Sequence, residues 1–368
     1  MAKARKILLI RLILGLNLLF VFLLLLAYLA PYVPPTILWI FVILGIIYPA
    51  LLLINILFVL FWIVLLSKNF IYSLITILIG FSTINNHFQF NNRPNESAGE
   101  TVKVLSFNVK NLSNNNEKYA DKTIRLAIQN YLDSQNADLI CLQEFQTYPT
   151  KGVNTIKEFQ AQLQKPYWAA TPYLEKSPFK FVDLLLILSD FPIVHQEELR
   201  HHGKIFALIA DIKYHEDTLR IYNLHLESNH FGKNEYEIFY SPEITSTEQT
   251  STQITSLVGK LSRYSKIRNT QVNLVLENIE KSPYPILICG DFNDTPGTFT
   301  YRKLAAGRKD AFVEKGTGYG NTYNGRLPAM RIDFILSDTI FKVNSFEIGH
   351  FEKSDHFPIM STFDLSLN

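Results

Sequence analysis

Acidic side chains are missing from the first 90 residues of this 368-residue chain, whose charges there are Lys3, Arg5, Lys6, Arg11 and Lys68 alone. A segment this apolar, without a polar face to show water, is not a soluble fold. Cysteine is almost absent: Cys141 and Cys289 both lie inside apolar runs. Two such residues exclude a disulfide-built scaffold, read as small buried hydrophobes, and leave the redox compartment open. A basic excess is lacking too. Removing those five leaves 30 Lys and Arg against 33 Asp and Glu, so the remainder is slightly acidic. It has no strong electrostatic footprint for nucleic acid, which argues against tight non-specific binding without excluding cleavage. No internal repeat appears, which excludes a solenoid.

What the N-terminus does have is three apolar runs. Leu12 to Leu29 is broken only by Gly15, Asn17 and Ala27, about the length of a helix that crosses a bilayer, with Arg11 placed to snorkel. Ile37 to Leu66 carries Pro49 in its middle and reads as one tilted or kinked span. Phe70 to Ile84 is shorter. The first run is too long for the core of a cleaved signal peptide, and further apolar segments follow it. Residues 1–87 therefore read as about three transmembrane helices, and 88–100, rich in Asn with Pro94 and Gly99, as a polar linker. Basic residues before the first span and none in 31–36 put the N-terminus in the cytoplasm. If 70–84 also spans, the rest of the chain lies outside it, and a bacterial inner membrane is the expected location. No ionisable residue sits within a span, so the helices read as an anchor and not a transport path.

From residue 101 short strands alternate with amphipathic helices. Strands are expected at Val102–Val109, Ala137–Gln143, Leu184–Leu188, Ile205–Ile212, Leu219–Leu224, Ile286–Cys289 and Ile332–Leu336. A helix is expected at Lys122–Ser134, and a polar insertion from His230 to about Lys266 leads into another near Arg268–Ile279. This alternation implies layered α/β architecture with strands buried on both faces.

Polar residues close these apolar strands, where a fold can turn them into one cleft. They are Asn108, Glu144, Asn223 with His225, Asp291 with Asn293 and Asp294, Asp333, and Asp355 with His356. The donors are oxygen and nitrogen without a cysteine pair, a set that suits a hard ion such as magnesium better than zinc. Phosphate ester hydrolysis needs such a set, because an incoming hydroxide is repelled until the non-bridging oxygens are neutralised. Alone, Asn108 would pass for a turn former, and Asp294-Thr-Pro296 reads as a structural turn. His201, His202, His215 and His230 read as exposed loop residues.

The order Asn108, Gln143-Glu144, Asn223-x-His225, Gly290-Asp-Phe-Asn293, Ile332-Asp333, Ser354-Asp-His356 resembles the endonuclease/exonuclease/phosphatase superfamily over residues 101–368. Each motif is weak by itself; six in the family order are not. The helical insertion followed by Arg268-x-x-Gln271 resembles a membrane-anchored bacterial branch. The resemblance implies a four-layered α/β-sandwich of the deoxyribonuclease-like type, preceded by the transmembrane helical region. It also implies Mg2+, with Mn2+ as a substitute, held by Glu144 with Asn108 and Asp355. Asp291 would activate water, and Asn293 and His225 would bond the scissile phosphate. His356 would touch it too, backed by Asp333. Asn223 and Arg268 are carried as substrate-side residues, the first also as a brace between strands and the second equally as a solvated helix residue. Two positions depart from the family pattern: Leu184 replaces a glycine and Asp190 a basic residue, which leaves the cleft wall's contour open. No tyrosine takes the role that one plays in AP endonucleases.

The expected activity is divalent-metal-dependent hydrolysis of phosphodiesters or phosphomonoesters. The substrate is a lipid, nucleotide or nucleic-acid ester, the bilayer is the other partner, and no obligate protein partner is implied. The alternatives are a membrane-tethered nuclease and a non-catalytic tethered binding module. The second would be expected to have lost ligands, and none is lost.

Overall fold

The computed structural model describes residues 2–90, 100–113, 121–147, 152–172, 182–232, 235, 247–325 and 329–365. The apolar start forms α1 (Ala2–Leu29), α2 (Ile40–Ile46), α3 (Tyr48–Val64), α4 (Phe70–Ile79) and α5 (Phe81–Asn85). Among the described residues α1 alone is by itself long and apolar enough to cross a membrane, while α2 and α3 reach that length only as a pair bent by 61°. The bend falls at Ile47, the N-cap of α3, two residues before Pro49 in its first turn, where a missing N–H costs nothing. At ten residues α4 covers about 15 Å, half a bilayer core. The three expected spans are thus one straight helix, one bent pair and one short helix.

These helices are tied together by a buried polar network. Asn17 Nδ2 donates to Ser73 Oγ (2.6 Å), Trp62 Nε1 to Asn17 Oδ1 (2.9 Å) and Ser73 Oγ to Asn55 Oδ1 (2.9 Å). Asn55 Nδ2 also caps the carbonyls of Phe20 and Leu51. Interhelical bonds of this kind hold helices where apolar burial gives no preference for a neighbour. They also set α3 antiparallel to α1, so Lys68 and Arg11 share one end of the bundle. Tyr28 lies at the other end, against Gly80 and near Tyr48.

Beyond residue 100 the chain builds two six-stranded sheets. The first contains β2 (Val102–Asn108), β3 (Leu139–Thr147), β4 (Tyr167–Ala170), β5 (Val182–Ser189), β13 (Lys342–Ile348) and β14 (Ile359–Asp364), in the order β13-β14-β2-β3-β5-β4. The second contains β6 (Ile193–His201), β7 (Lys204–Tyr214), β8 (Asp217–His225), β9 (Ile286–Asp291), β10 (Arg308–Asp310) and β12 (Asp333–Asp338), in the order β10-β12-β9-β8-β7-β6. Within each, only β2–β3 and β8–β9 run parallel.

Side-chain alternation sorts the core into layers. Val102, Cys141, Ile187, Ile221, Cys289 and Ile335 meet between the sheets. The opposite face of the first sheet is covered by α6 (Lys122–Ser134) and α7 (Gly152–Gln162), through residues such as Ile128 and Phe159. The outer face of the second is covered by α8 (Thr247–Ile279) and α9 (Phe299–Ala305), through Val272, Val275 and Leu304. Helix, sheet, sheet, helix is the four-layered sandwich expected from the sequence. Both cysteines are free and buried in its centre.

Two expectations change. The helix foreseen near Arg268–Ile279 begins at Thr247, so half of the supposed polar insertion is helical; residues 236–246 lie outside the described part. The linker is also not wholly a linker. Phe88–Gln89 form β1, which pairs antiparallel with β11 (Gly318–Tyr319), while 91–99 lie outside the described residues.

Candidate active site

At the C-terminal ends of the two parallel strand pairs, the residues that face between the sheets turn polar. In register, Asp333 pairs with Asp291, Asp291 with His225, and Asn108 with Gln143. Adjacent strands thus bring these side chains to one end of the sandwich, where a cleft of about 230 Å³ opens. Glu144, Asp291, Asn293, Asp355 and His356 line it.

Local backbone geometry aims two of them. In β3, Gln143 and Glu144 lie between Leu142 and Phe145, whose partners Leu186 and Leu184 have only one residue between them. This bulge re-aims the strand and holds Glu144 at φ 53°, where its Oε1 accepts from Asn108 Nδ2 (3.1 Å) and stands 3.4 Å from His225 Nε2. Near the end of β9, Gly290 takes φ 138°, and a Cβ there would lie 2.0 Å from the carbonyl oxygen of Leu224. Only glycine allows the chain to pass β8 so closely. Asn293, at φ 52°, then folds back so that its N and Nδ2 donate to the two oxygens of Asp291 (2.7 and 3.1 Å).

Asp291 is the hub. Asn108 Nδ2 donates to it at 3.2 Å, and His225 Nε2 and His356 Nε2 both stand 3.7 Å from its Oδ2. Burial raises its pKa, His356 opposes this and Asp333 adds to it, and the result is about 7. The two histidines differ in protonation. Burial lowers His225, assisted by Lys204 and His356, to about 4, so it is neutral near pH 7 and its short distances to Glu144 and Asp291 are not ion pairs. Burial also pulls His356 down, but the carboxylates of Asp333 and Asp291 outweigh it and lift His356 to about 10. Its Nδ1 bonds both oxygens of Asp333 (3.1 and 2.9 Å), which fixes the ring and leaves Nε2 facing the cleft.

His225 Nε2 is buried without a hydrogen-bond partner. A neutral imidazole nitrogen left unpaired beside two carboxylates marks a place where a bound group completes the site. Glu144 and Asp355 supply hard carboxylate oxygens, while Asn108 turns its Nδ2 to Glu144 and Asp291 and its Oδ1 accepts from the Lys110 N–H (3.0 Å). Burial raises the pKa of Glu144, with the Asn108 bond opposing it and Asp355 reinforcing it. Two carboxylates that both line the cleft, with Asp355 raising the cost of ionising Glu144, fit a divalent cation bound by oxygen, which would compete with Lys110 Nζ, 3.1 Å from Asp355. Asp291, Asp333 and His356 also gather their ligand atoms within 4.8 Å, but both Asp333 oxygens are already bonded to His356, which accounts for that cluster.

Asn223 and Arg268 do not line the cleft. Asn223 is fully buried, accepts from Gln143 Nε2 (2.7 Å) and donates to the carbonyls of Leu142 and Leu186. It is the brace between the two sheets. Arg268, also fully buried, pairs with Asp294 (3.2 Å) and donates through Nη1 to the carbonyl of Glu227 (2.8 Å) and to Asn229 Oδ1 (3.0 Å). Gln271 Oε1 accepts from the Glu227 N–H (2.9 Å), so the Arg268-x-x-Gln271 pair clamps both backbone groups of one residue. The clamp positions Ser228 to Phe231, which wall the cleft. Arg268→Ala is therefore expected to leave Asp294 charged and buried without its partner. The cost is about 3–5 kcal/mol, read as a lower thermal midpoint, and Arg268→Lys should recover part of it. An unchanged midpoint would show that the clamp carries no load.

The departures at Leu184 and Asp190 do not alter the cleft. Leu184 packs into the outer core opposite Phe145, and Asp190 pairs with Lys165 at 2.6 Å. Several contributors were not singled out in the sequence. For Lys110 the available signal is a cation two residues from Asn108. Ser354, read only as part of the Ser-Asp-His motif, donates to the carbonyl of Asn108 (2.9 Å) and fixes that loop to β2. Tyr323 packs edge-on against His356 and lines the cleft. Ile46, the last residue of α2, lines it as well, and nothing in its sequence context signals this.

The Endonuclease/Exonuclease/phosphatase family model matches residues 105–356, and residues 10–87 match a domain of unknown function (DUF8431). No curated protein matches the chain. Among solved structures, the endonuclease/exonuclease/phosphatase from Bacteroides vulgatus is similar at TM-score 0.51 and 16% identity, over 73% of this chain and 100% of that one. A family protein from Leptotrichia buccalis C-1013-b gives TM-score 0.50 and 15% identity, over 72% and 100%. At such identities the likeness is one of fold, and it is the deoxyribonuclease-like sandwich.

Proposed function

Because this chain belongs to the endonuclease/exonuclease/phosphatase family, whose members are in general metal-dependent phosphoester hydrolases, we propose that it is a membrane-anchored, magnesium-dependent phosphoesterase. The observation that carries this is the meeting of Glu144, Asn108, His225, Asp291, Asn293 and His356 at one end of the sandwich. A magnesium ion held by Glu144 with Asn108 and Asp355 would neutralise phosphate oxygens and stabilise the leaving oxygen. Asp291 sits among donors that orient it, and a carboxylate near pKa 7 is suited to take a proton from water. The water oxygen bonds to phosphorus, its proton passes to Asp291, and the leaving oxygen departs with the bonding pair and is protonated from solvent. Neutral His225 and Asn293 would hydrogen-bond the phosphate, and protonated His356 would meet the charge that builds on it.

The test uses full-length protein in nanodiscs with bis(4-nitrophenyl) phosphate. Hydrolysis with magnesium or manganese that stops on chelation is expected. Activity that survives chelation overturns the metal, and no hydrolysis with either ion overturns the reading.

Packing also supports an extracytoplasmic catalytic domain. Arg302 lies 4.0 Å from the Tyr32 ring, and Arg331 Nη2 donates to the carbonyl of Asn86 (2.7 Å). Residues 30–46 and 86–89 thus carry the domain at the Tyr28 end of the bundle, opposite Arg11 and Lys68. Basic residues stay in the cytoplasm, so the domain lies on the other side. Protease added to spheroplasts is expected to digest residues beyond 100, and full protection would reverse the orientation.

A further inference from the structure

The helical region is more than a tether, because it completes the cleft. Gly45 of α2 lies against Gly297, and a Cβ on either would fall 2.2–2.3 Å from the other's carbonyl oxygen. Gly297 stands two residues beyond Thr295 of the cleft wall, and Ile46 reaches that wall itself. Glycine on both sides lets backbone approach backbone, and this seats the end of α2 beside the phosphate chemistry. The same helix end is where the apolar path bends by 61° into α3. At the other, N-terminal end of this short helix Ile37, Leu38 and Ile40 are 75%, 45% and 40% exposed, a row that lipid and not water would cover. Phe231 and Met330 add apolar side chains to the lining of the same cleft.

Resting on the phosphoesterase reading, we propose that the substrate is a membrane lipid carrying a phosphoester. Its hydrocarbon chain stays in the bilayer beside the α2–α3 bend while its phosphate enters past Ile46. The geometry disfavours the other occupants. A nucleic acid would have to pass the helical region at the cleft wall, on a domain whose Lys and Arg do not outnumber its Asp and Glu. A small soluble ester would have no use for an apolar wall supplied by a membrane helix.

The experiment varies only the chain on one chromogenic diester. Full-length protein reconstituted in phosphatidylcholine vesicles with magnesium is given 4-nitrophenyl hexadecyl phosphate in the same bilayer, or 4-nitrophenyl ethyl phosphate in solution. The expected kcat/KM for the long-chain ester is at least about tenfold higher, reflecting burial of its chain beside the site. Ile46→Asp, which puts a charge on the path, is expected to lower the long-to-short ratio about tenfold. Ile46→Ala, a milder variant that keeps the fold, should lower it about threefold. Equal rates for the two esters, or a ratio unmoved in both variants, overturn the lipid assignment and leave the hydrolase reading standing. If neither ester is cleaved with magnesium or manganese, the hydrolase reading fails and this one falls with it.

Discussion

Asp291→Asn is expected to lower turnover at least about 10³-fold, the scale of losing a positioned general base together with its charge, while the domain stays folded. The carboxylate is held at an energetic cost. With its pKa raised to about 7, the folded chain binds more protons there than the unfolded chain between the ordinary carboxylate range and pH 7. Stability contributed by this site therefore falls as pH rises through that window. Asparagine keeps the shape, removes the charge that burial penalises, and can still bond Asn108 and Asn293. Its thermal midpoint at pH 8 should equal or exceed that of wild type. His225→Ala should cost about 10²-fold or more, the loss of one phosphate donor, again without unfolding, since its Nε2 bonds nothing in the protein. A folded variant of either kind within about threefold of wild-type turnover would remove the proposed site.

Both residues were legible in the sequence for the same physical reason. A strand buried on both faces reads as a continuous apolar run, so Asp291 at the end of Ile286–Asp291 and His225 at the end of Asp217–His225 stand out as polar residues where a core should continue. Most of the central strands were foreseen on that signal. The edge strands were not. Ile193–His201 mixes charges and histidines on a half-exposed ribbon, and Lys342–Ile348 is largely polar and half-exposed, so neither carries the apolar run. Ile359–Asp364, one place in from that edge, was missed because it is half polar and short. Glu144 was legible as a residue type, but the bulge that aims it comes from register with β5, which no local pattern encodes.

Arg268 shows the opposite limit. Its i, i+3 partner Gln271 was visible, but an arginine on an amphipathic helix reads equally as solvated, as substrate-facing or as buried. Only the fold brings Asp294 and the Glu227 carbonyl to it. The N-terminal helices show it again: composition declared the apolar runs, whereas the Gly45–Gly297 approach joins residues more than 250 positions apart. Contacts of that separation depend on topology, and topology is what periodicity leaves open.

Glu144→Gln is expected to raise the magnesium concentration for half-maximal activity at least about tenfold, the scale on which metal sites lose affinity when their ligand set is disturbed. The substitution is nearly isosteric and leaves an oxygen able to accept from Asn108 Nδ2, so the bulge should persist. What is lost is one negative charge from an all-oxygen donor set whose other carboxylate, Asp355, already leans on Lys110 at 3.1 Å. Were Glu144 only a neighbour of the phosphate, the variant would turn over more slowly at unchanged metal demand. Magnesium titrations of wild type and variant at saturating ester separate the two. Manganese should substitute for magnesium. Calcium, which tolerates looser and higher coordination, should support little turnover, and so should zinc, for which Glu144, Asn108 and Asp355 supply no soft ligand. An unchanged half-saturation point in Glu144→Gln, with activity lost at every metal concentration, would move the ion away from Glu144 and toward the Asp291, Asp333 and His356 cluster.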